Sequence, residues 1–191
     1  MVCQIRFSLL FVICVASTAF VLVETSVTDS KWNELVKVSL QRSEPENEYF
    51  SLEGSSCSPY CPSGWVSYGR RCYIYVDQHM DWISAENHCL DLGANLVSIH
   101  SEDEYKVVKA LIRFHDPKQN PTWIGLTNCV KLKNWFWSDG TKLSFTKWNP
   151  DEPNNFENIE CCVHMNFSVF MNWNDIPCVN TYPFVCVKRL K

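Results

Sequence analysis

The spacing of its cysteines constrains this chain more than any other feature. Eleven cysteines occur in 191 residues; Cys3 and Cys14 sit at the extreme N-terminus, and Cys57, Cys61, Cys72, Cys89, Cys129, Cys161, Cys162, Cys178 and Cys186 follow. Around the first two, Arg6 precedes an apolar run over residues 7–23 that contains Ala16, Ser17, Thr18 and Ala19. A charged start, an apolar centre and small residues near a processing point describe a secretory signal peptide, placed at 1–19. An uncleaved anchor is the rival reading, because the run approaches the length that spans a bilayer. Export and dense cysteine together predict disulfides formed in an oxidising compartment. Zinc is the weaker alternative: Cys57 and Cys61 have a plausible spacing, but no second close pair follows. Nine is odd, so one sulfur lacks an intrachain partner.

Residues 20–56 turn polar and acidic, with Pro, Gly and Ser towards their end, and read as a linker or stalk. Within them "DSKWNELVKVSL" predicts a short helix from Asp29 or Ser30 with Trp32, Leu35, Val36 and Leu40 on one face, a candidate for self-association but marginal alone. The compact domain is placed at 57–191. "WVSYGRRCYIYV" predicts a strand pair turning at "YGRR" and closed by Cys61 and Cys72. "DQHMDWISAENHCLDLG" spaces Trp82, Ala85, Cys89 and Leu92 as one helix stopping at Gly93. A second helix opens with Ser101 and Glu104 in capping-box spacing, runs through Tyr105, Val108, Leu111 and Ile112, and halts before Pro117. Beyond it, "TWIGL", "WFWSDG", "LSFTKW", "CCVHMNF", "NWNDIPC" and "YPFVCVKRL" read as short strands. Two helices followed by a strand-rich half give an α+β domain with antiparallel strands rather than a parallel α/β sheet.

The apolar content of 46% leaves ample material for one core. A formal net charge of −4 with no basic run argues against nucleic acid. No His-Glu-x-x-His, Gly-x-Ser-x-Gly or phosphate loop occurs, and His79, His88, His100, His115 and His164 form no close liganding pair, so no enzyme is expected. "NFS" makes Asn166 an N-glycosylation candidate, whereas "NPT" at Asn120 is excluded by its proline.

One segment carries the chemistry: "EPNNFENIECCVHMNFSVFMNWND", from Glu152 to Asp175. Glu152, Asn154, Glu160, Asn174 and Asp175 offer carboxylate and amide oxygen, the hard ligands that calcium prefers. Three carboxylates around a divalent ion would leave about one negative charge and open coordination positions.

In order, "CPSGWVSYGRRCY", the helix bearing Cys89, "LVSIHSEDE", "WIGL", "WSDG", "EPN", "WND" and "FVC" resemble C-type lectin-like domains, and the match extends from Cys57 to Lys191. The resemblance implies a double-loop α+β fold bridged by Cys61–Cys72, Cys89–Cys186 and Cys162–Cys178. Likeness to secreted fish lectins and type II fish antifreeze proteins, which carry a similar "CC", implies Cys129–Cys161 and leaves Cys57 to link two chains or stay free. It further implies one calcium ion held by the five residues above, with Glu152, Asn154, Glu160 and Asn174 also meeting sugar hydroxyls. The order Glu152, Pro153, Asn154 resembles the mannose-type members and implies equatorial vicinal diols, as in mannose, N-acetylglucosamine or fucose. A cis bond before Pro153 would aim both side chains to one side. A second, auxiliary calcium site is expected to be lost, since its region reads Asn128, Leu132 and Asn155. The expected function is a secreted calcium-dependent lectin, with a role in innate recognition of microbial glycans. The alternatives are a type II antifreeze protein binding ice and a calcium-independent module binding proteins.

Overall fold

The computed structural model describes residues 29–41 and 60–190. Cys57 and the expected signal peptide lie outside the described residues. In chain order the elements are α1 (Asp29–Gln41), β1 (Val66–Tyr68), β2 (Arg71–Met80), α2 (Trp82–Asp91), β3 (Asn95–Leu96), α3 (Glu102–His115), β4 (Thr122–Thr127), β5 (Phe136–Trp137), a 3-10 turn (Phe156–Asn158), β6 (Cys162–Phe167), β7 (Asn172–Ile176) and β8 (Tyr182–Arg189).

Eight strands form one sheet in the order β1-β2-β8-β4-β6-β7, with β3 added to β8 and β5 to β4. Pairing is antiparallel except where β4 meets β8 at Trp123 and Phe184. The fold is therefore α+β, as the sequence predicts, with α1 added to the two helices expected of the domain.

Strand alternation divides the apolar side chains between two cores. On β8, Val185 and Val187 join α3, Trp137 and Trp173. Phe184 and Cys186 face the other way, towards α2, Trp65, Trp82 and Trp123. The Cys89–Cys186 bridge lies inside that second core, and Cys61–Cys72, Cys129–Cys161 and Cys162–Cys178 complete the set.

Local chemistry places the helices. Asp81 caps α2 by accepting from the Ser84 amide at 2.9 Å. Gly93, at φ +66°, turns the chain back after it. Ser101 caps α3 by accepting from the Glu104 amide at 3.1 Å. The reciprocal arm falls one residue early: Glu104 accepts from the His100 amide at 2.7 Å and takes the Arg71 guanidinium at 2.9 Å with its other oxygen. In "WIGL", a Cβ on Gly125 would stand 2.7 Å from the Leu96 carbonyl oxygen and 2.8 Å from Ser138 Oγ. Only glycine lets β3, β4 and the segment after β5 cross so closely.

The linker reading of 20–56 is corrected over its helical part. Residues 29–41 form α1, which lies against α3 instead of standing as a free stalk. Trp32 and Val36 are buried in the core, and the Trp32 ring meets Tyr68 edge-on at 5.3 Å. A helix this short is marginal alone. Burying two such side chains contributes about 3–5 kcal/mol before the entropy of ordering the segment is counted. "LSFTKW" forms no named strand: Leu143, Phe145 and Trp148 instead pack partly buried against the core, and only Trp148 makes an isolated bridge, to Trp173.

Candidate calcium and carbohydrate site

The loop bearing the candidate ligands rises from a tryptophan anchor. Trp173 on β7 is fully buried, with Trp137, Phe145 and Trp148 edge-on around it at 5.7–5.9 Å between ring centroids. Its backbone binds the ascending chain twice: its amide donates to Lys147 O, and Asn149 N donates to its carbonyl, each at 2.9 Å. The descending chain ends at Cys161 and Cys162, whose bridges leave for Cys129 and Cys178. The loop is thus pinned at both ends.

Within it the Glu152–Pro153 bond is cis. The Asn154 side-chain amide donates to Glu152 Oε1 at 3.0 Å, so the two side chains meet. Asp175, fully buried, accepts from the backbone amides of Asn154 and Asn155 at 3.0 and 2.9 Å. Glu160 is buried, accepts from Phe156 N at 2.9 Å, and donates its own amide to Asn155 Oδ1 at 3.1 Å. Asp151, Asn155, Glu157 and Asn158 all have φ between 47° and 67°. Side chains other than Gly, Asn and Asp seldom take that conformation, and the Glu157 backbone is held there by the pins and the buried carboxylates.

The charges in this loop are in conflict. Burial first, then contact with Asp175 and the Asp175 and Glu160 charges, pushes the Glu152 carboxyl up to about 7. Burial also raises Glu160, aided by Asp175 and Glu157 and opposed by the Phe156 amide. Glu152 and Glu160, both held back from ionising, are groups that a cation would stabilise. The three carboxylates do not all approach within 4.8 Å of one another; among the described residues only Cys129, Cys161, Cys162 and Cys178 form so tight a group of potential ligands, and their sulfurs are spent in disulfides. The donors are all hard oxygen and their charges repel, which is the donor chemistry that suits calcium.

Asn174 adjoins Asp175 on β7, and a residue that sequence reasoning set aside holds its side chain. His164 lies opposite Asn174 across the β6–β7 ladder and is buried. Its Nδ1 is 3.1 Å from the Met165 carbonyl oxygen, which fixes the proton there and leaves Nε2 to accept from the Asn174 amide at 3.3 Å. Burial lowers His164 to about 4, so the ring is neutral and the tautomer holds at ordinary pH. Nothing local in the sequence signals this, since the pairing of "VHM" with "WND" is set by the β6–β7 register.

Other expected residues fall as follows. Asn155 is engaged by Glu160, while Asn128 is buried and Leu132 exposed. Phe156 is exposed on the loop, whereas Trp173 belongs to the core. Asn166, the glycosylation candidate, is 4% exposed, accepts from Lys109 Nζ at 2.6 Å and donates to Asn120 O at 3.1 Å.

Comparison with known proteins agrees with this architecture. Over 138 residues the chain is 44% identical to lactose-binding lectin l-2 of Anguilla japonica, covering 70% of this chain and 81% of the relative. The herring type II antifreeze protein superposes with a TM-score of 0.64 at 36% identity, over 69% of this chain and all of that one. A calcium-independent type II antifreeze protein superposes with a TM-score of 0.63 at 32% identity, covering 69% of this chain and 96% of its own. Residues 78–188, more than half of the chain, match the lectin C-type domain, a family of binding proteins rather than enzymes. The chain belongs to the C-type lectin family.

Proposed function

We propose that this protein is a secreted lectin that binds glycans through one calcium ion held by Glu152, Asn154, Glu160, Asn174 and Asp175. The observation that carries the reading is the Asn154 backbone amide shared by two carboxylates, Glu152 Oε2 at 3.2 Å and Asp175 Oδ1 at 3.0 Å, with the Glu152 carboxyl raised to about 7. When bound, calcium supplies coordination positions for two sugar hydroxyls. The chain's own groups do the selecting. Glu152 and Glu160 accept hydroxyl protons, and Asn154 and Asn174 donate from their amides, so donors and acceptors alternate about a vicinal diol. Secretion is supported by the four disulfides, which oxidising surroundings favour. Among the described residues no helix is long and apolar enough to cross a membrane.

The order Glu152, Pro153, Asn154 favours mannose, N-acetylglucosamine and fucose, although the eel relative is named for lactose. A glycan array probed with and without a chelator tests both points. The expected result is binding to mannose-type sugars that disappears on chelation. Chelator-resistant binding to the same sugars overturns the calcium reading, and calcium-dependent binding confined to lactose overturns the selectivity alone. The likeness to antifreeze proteins supports ice binding as a second reading, separated from the first by thermal hysteresis without glycan binding.

With eight cysteines paired, Cys57 is proposed to join two chains. Non-reducing electrophoresis is expected to show a dimer that reductant, or Cys57→Ser, converts to monomer; a monomer without reductant refutes the link.

A further inference from the structure

Where β2 and β8 pair, two arginines stand directly opposite each other, Arg71 and Arg189. Like charges in that arrangement repel. Arg71 is answered: its guanidinium donates to Ser98 O and Glu104 at 2.9 Å each and lies 3.9 Å from Asp139. Arg189 is exposed, and among the described residues its guanidinium has no hydrogen bond or ion pair. The next residue, Lys188, alternates to the other face of the sheet, where it lies over the Trp65 ring at 4.1 Å, donates to the Leu92 carbonyl at 3.2 Å and, among the described residues, has no carboxylate partner. These uncompensated cations border a cavity of about 420 Å³ that Arg71, Asn95, His100, Asp139 and Thr141 also line. None of its lining residues belongs to the loop of the calcium site.

The lining specifies the ligand. Ala94 and Val187 are its only aliphatic side chains and no Phe, Tyr or Trp contributes, which disfavours a nucleobase or an acyl chain. The volume exceeds what an inorganic anion needs and falls within the range of small-ligand pockets. Asp139 on the same wall repels a compact dianion; the Asn95 amide donates to Glu86 at 2.6 Å and the Thr141 hydroxyl donates to Asp139, which leaves the oxygen of each to accept from a sugar hydroxyl.

We propose that this cleft is a second, calcium-independent site for an acidic sugar, with Arg189 taking a ring-borne sulfate or carboxylate and Asn95 and Thr141 accepting from neighbouring hydroxyls. The site does not depend on the calcium reading, and the test excludes calcium by design.

The full chain is titrated in chelator with a sulfated heparin tetrasaccharide, a hyaluronan tetrasaccharide that carries carboxylates alone, a neutral tetrasaccharide and inorganic sulfate. The expected result is binding of at least one acidic tetrasaccharide, with the pair reporting which anion is preferred. Arg189→Glu is expected to weaken it about tenfold or more, and Arg189→Lys to retain most of it. Arg189 is exposed on the last residue of β8, so an unchanged melting temperature is expected to show that the variant folds. Failure of both acidic tetrasaccharides to bind, equal binding by Arg189→Glu, or equal binding of the neutral sugar overturns the site. Inorganic sulfate binding as tightly as the tetrasaccharides overturns its assignment to sugars.

Discussion

Asp175→Asn is expected to lower calcium affinity by about a hundredfold or more and to abolish calcium-dependent glycan binding. Two losses combine. The substitution removes one of the formal charges that draw a divalent ion, and it removes an oxygen from a side chain that holds two backbone amides at once. One of those amides, at Asn154 or Asn155, would then face an NH2 group, and a buried donor without an acceptor is costly. The loop should loosen before any metal arrives. Calcium titration by calorimetry, with melting temperature as the check on folding, reads the effect; retained calcium affinity in a folded variant refutes the assignment of Asp175.

The same cluster sets a pH dependence with a definite sign. In the metal-free protein the Glu152 carboxyl is raised to about 7, above its ordinary value of 4.5. Its contribution to stability is therefore fully present below about pH 4.5 and is lost as pH rises through 7. Calcium acts in the opposite sense, since it binds the ionised form and must displace the proton. The gain in melting temperature on adding calcium is expected to grow from pH 5 to pH 7.5, and a gain independent of pH across that window speaks against Glu152 as a ligand.

The largest effect on stability is expected at Cys89–Cys186, whose cysteines are separated by 97 positions. Replacing both with alanine should cost about 4–5 kcal/mol, because the open chain regains the freedom of a long loop. Both sulfurs lie in the core with Trp65, Trp82 and Trp123, so lost packing adds to the entropic part. Cys61–Cys72 spans only 11 positions, and its removal should cost about 2–3 kcal/mol. Denaturant unfolding of the two double variants gives the comparison; equal costs refute loop closure as the main cause.

How far the sequence could be read depended on whether a residue's partner was local. The start of α3 was legible because Ser101 and Glu104 are three residues apart and act on each other's turn. So was the stop of α2, where Gly93 satisfies a backbone demand at its own position. The cysteine pairings came from resemblance to a family, since spacing alone cannot choose among partners up to 97 positions apart. α1 was read as a helix but not as part of the domain, because its apolar face needs the surface of α3, more than 60 residues on. Within the site, the ligand types were visible in one short stretch. The role of His164 was not, since it depends on the β6–β7 register and on a tautomer set by Met165 O. The Arg71–Arg189 opposition was equally hidden, because β2 and β8 lie at opposite ends of the domain sequence.

The stitching described for the sulfurs decides what happens when the exposed crown of the molecule is cut. A protease that nicks the backbone between residues 150 and 159 separates an upstream piece holding Cys89 and Cys129 from a downstream piece holding Cys161 and Cys186. Two covalent ties span the gap, Cys89–Cys186 and Cys129–Cys161, so the severed halves travel as one particle. Such damage leaves molecular mass and most of the core in place while silencing the crown, and only a reducing agent reveals it.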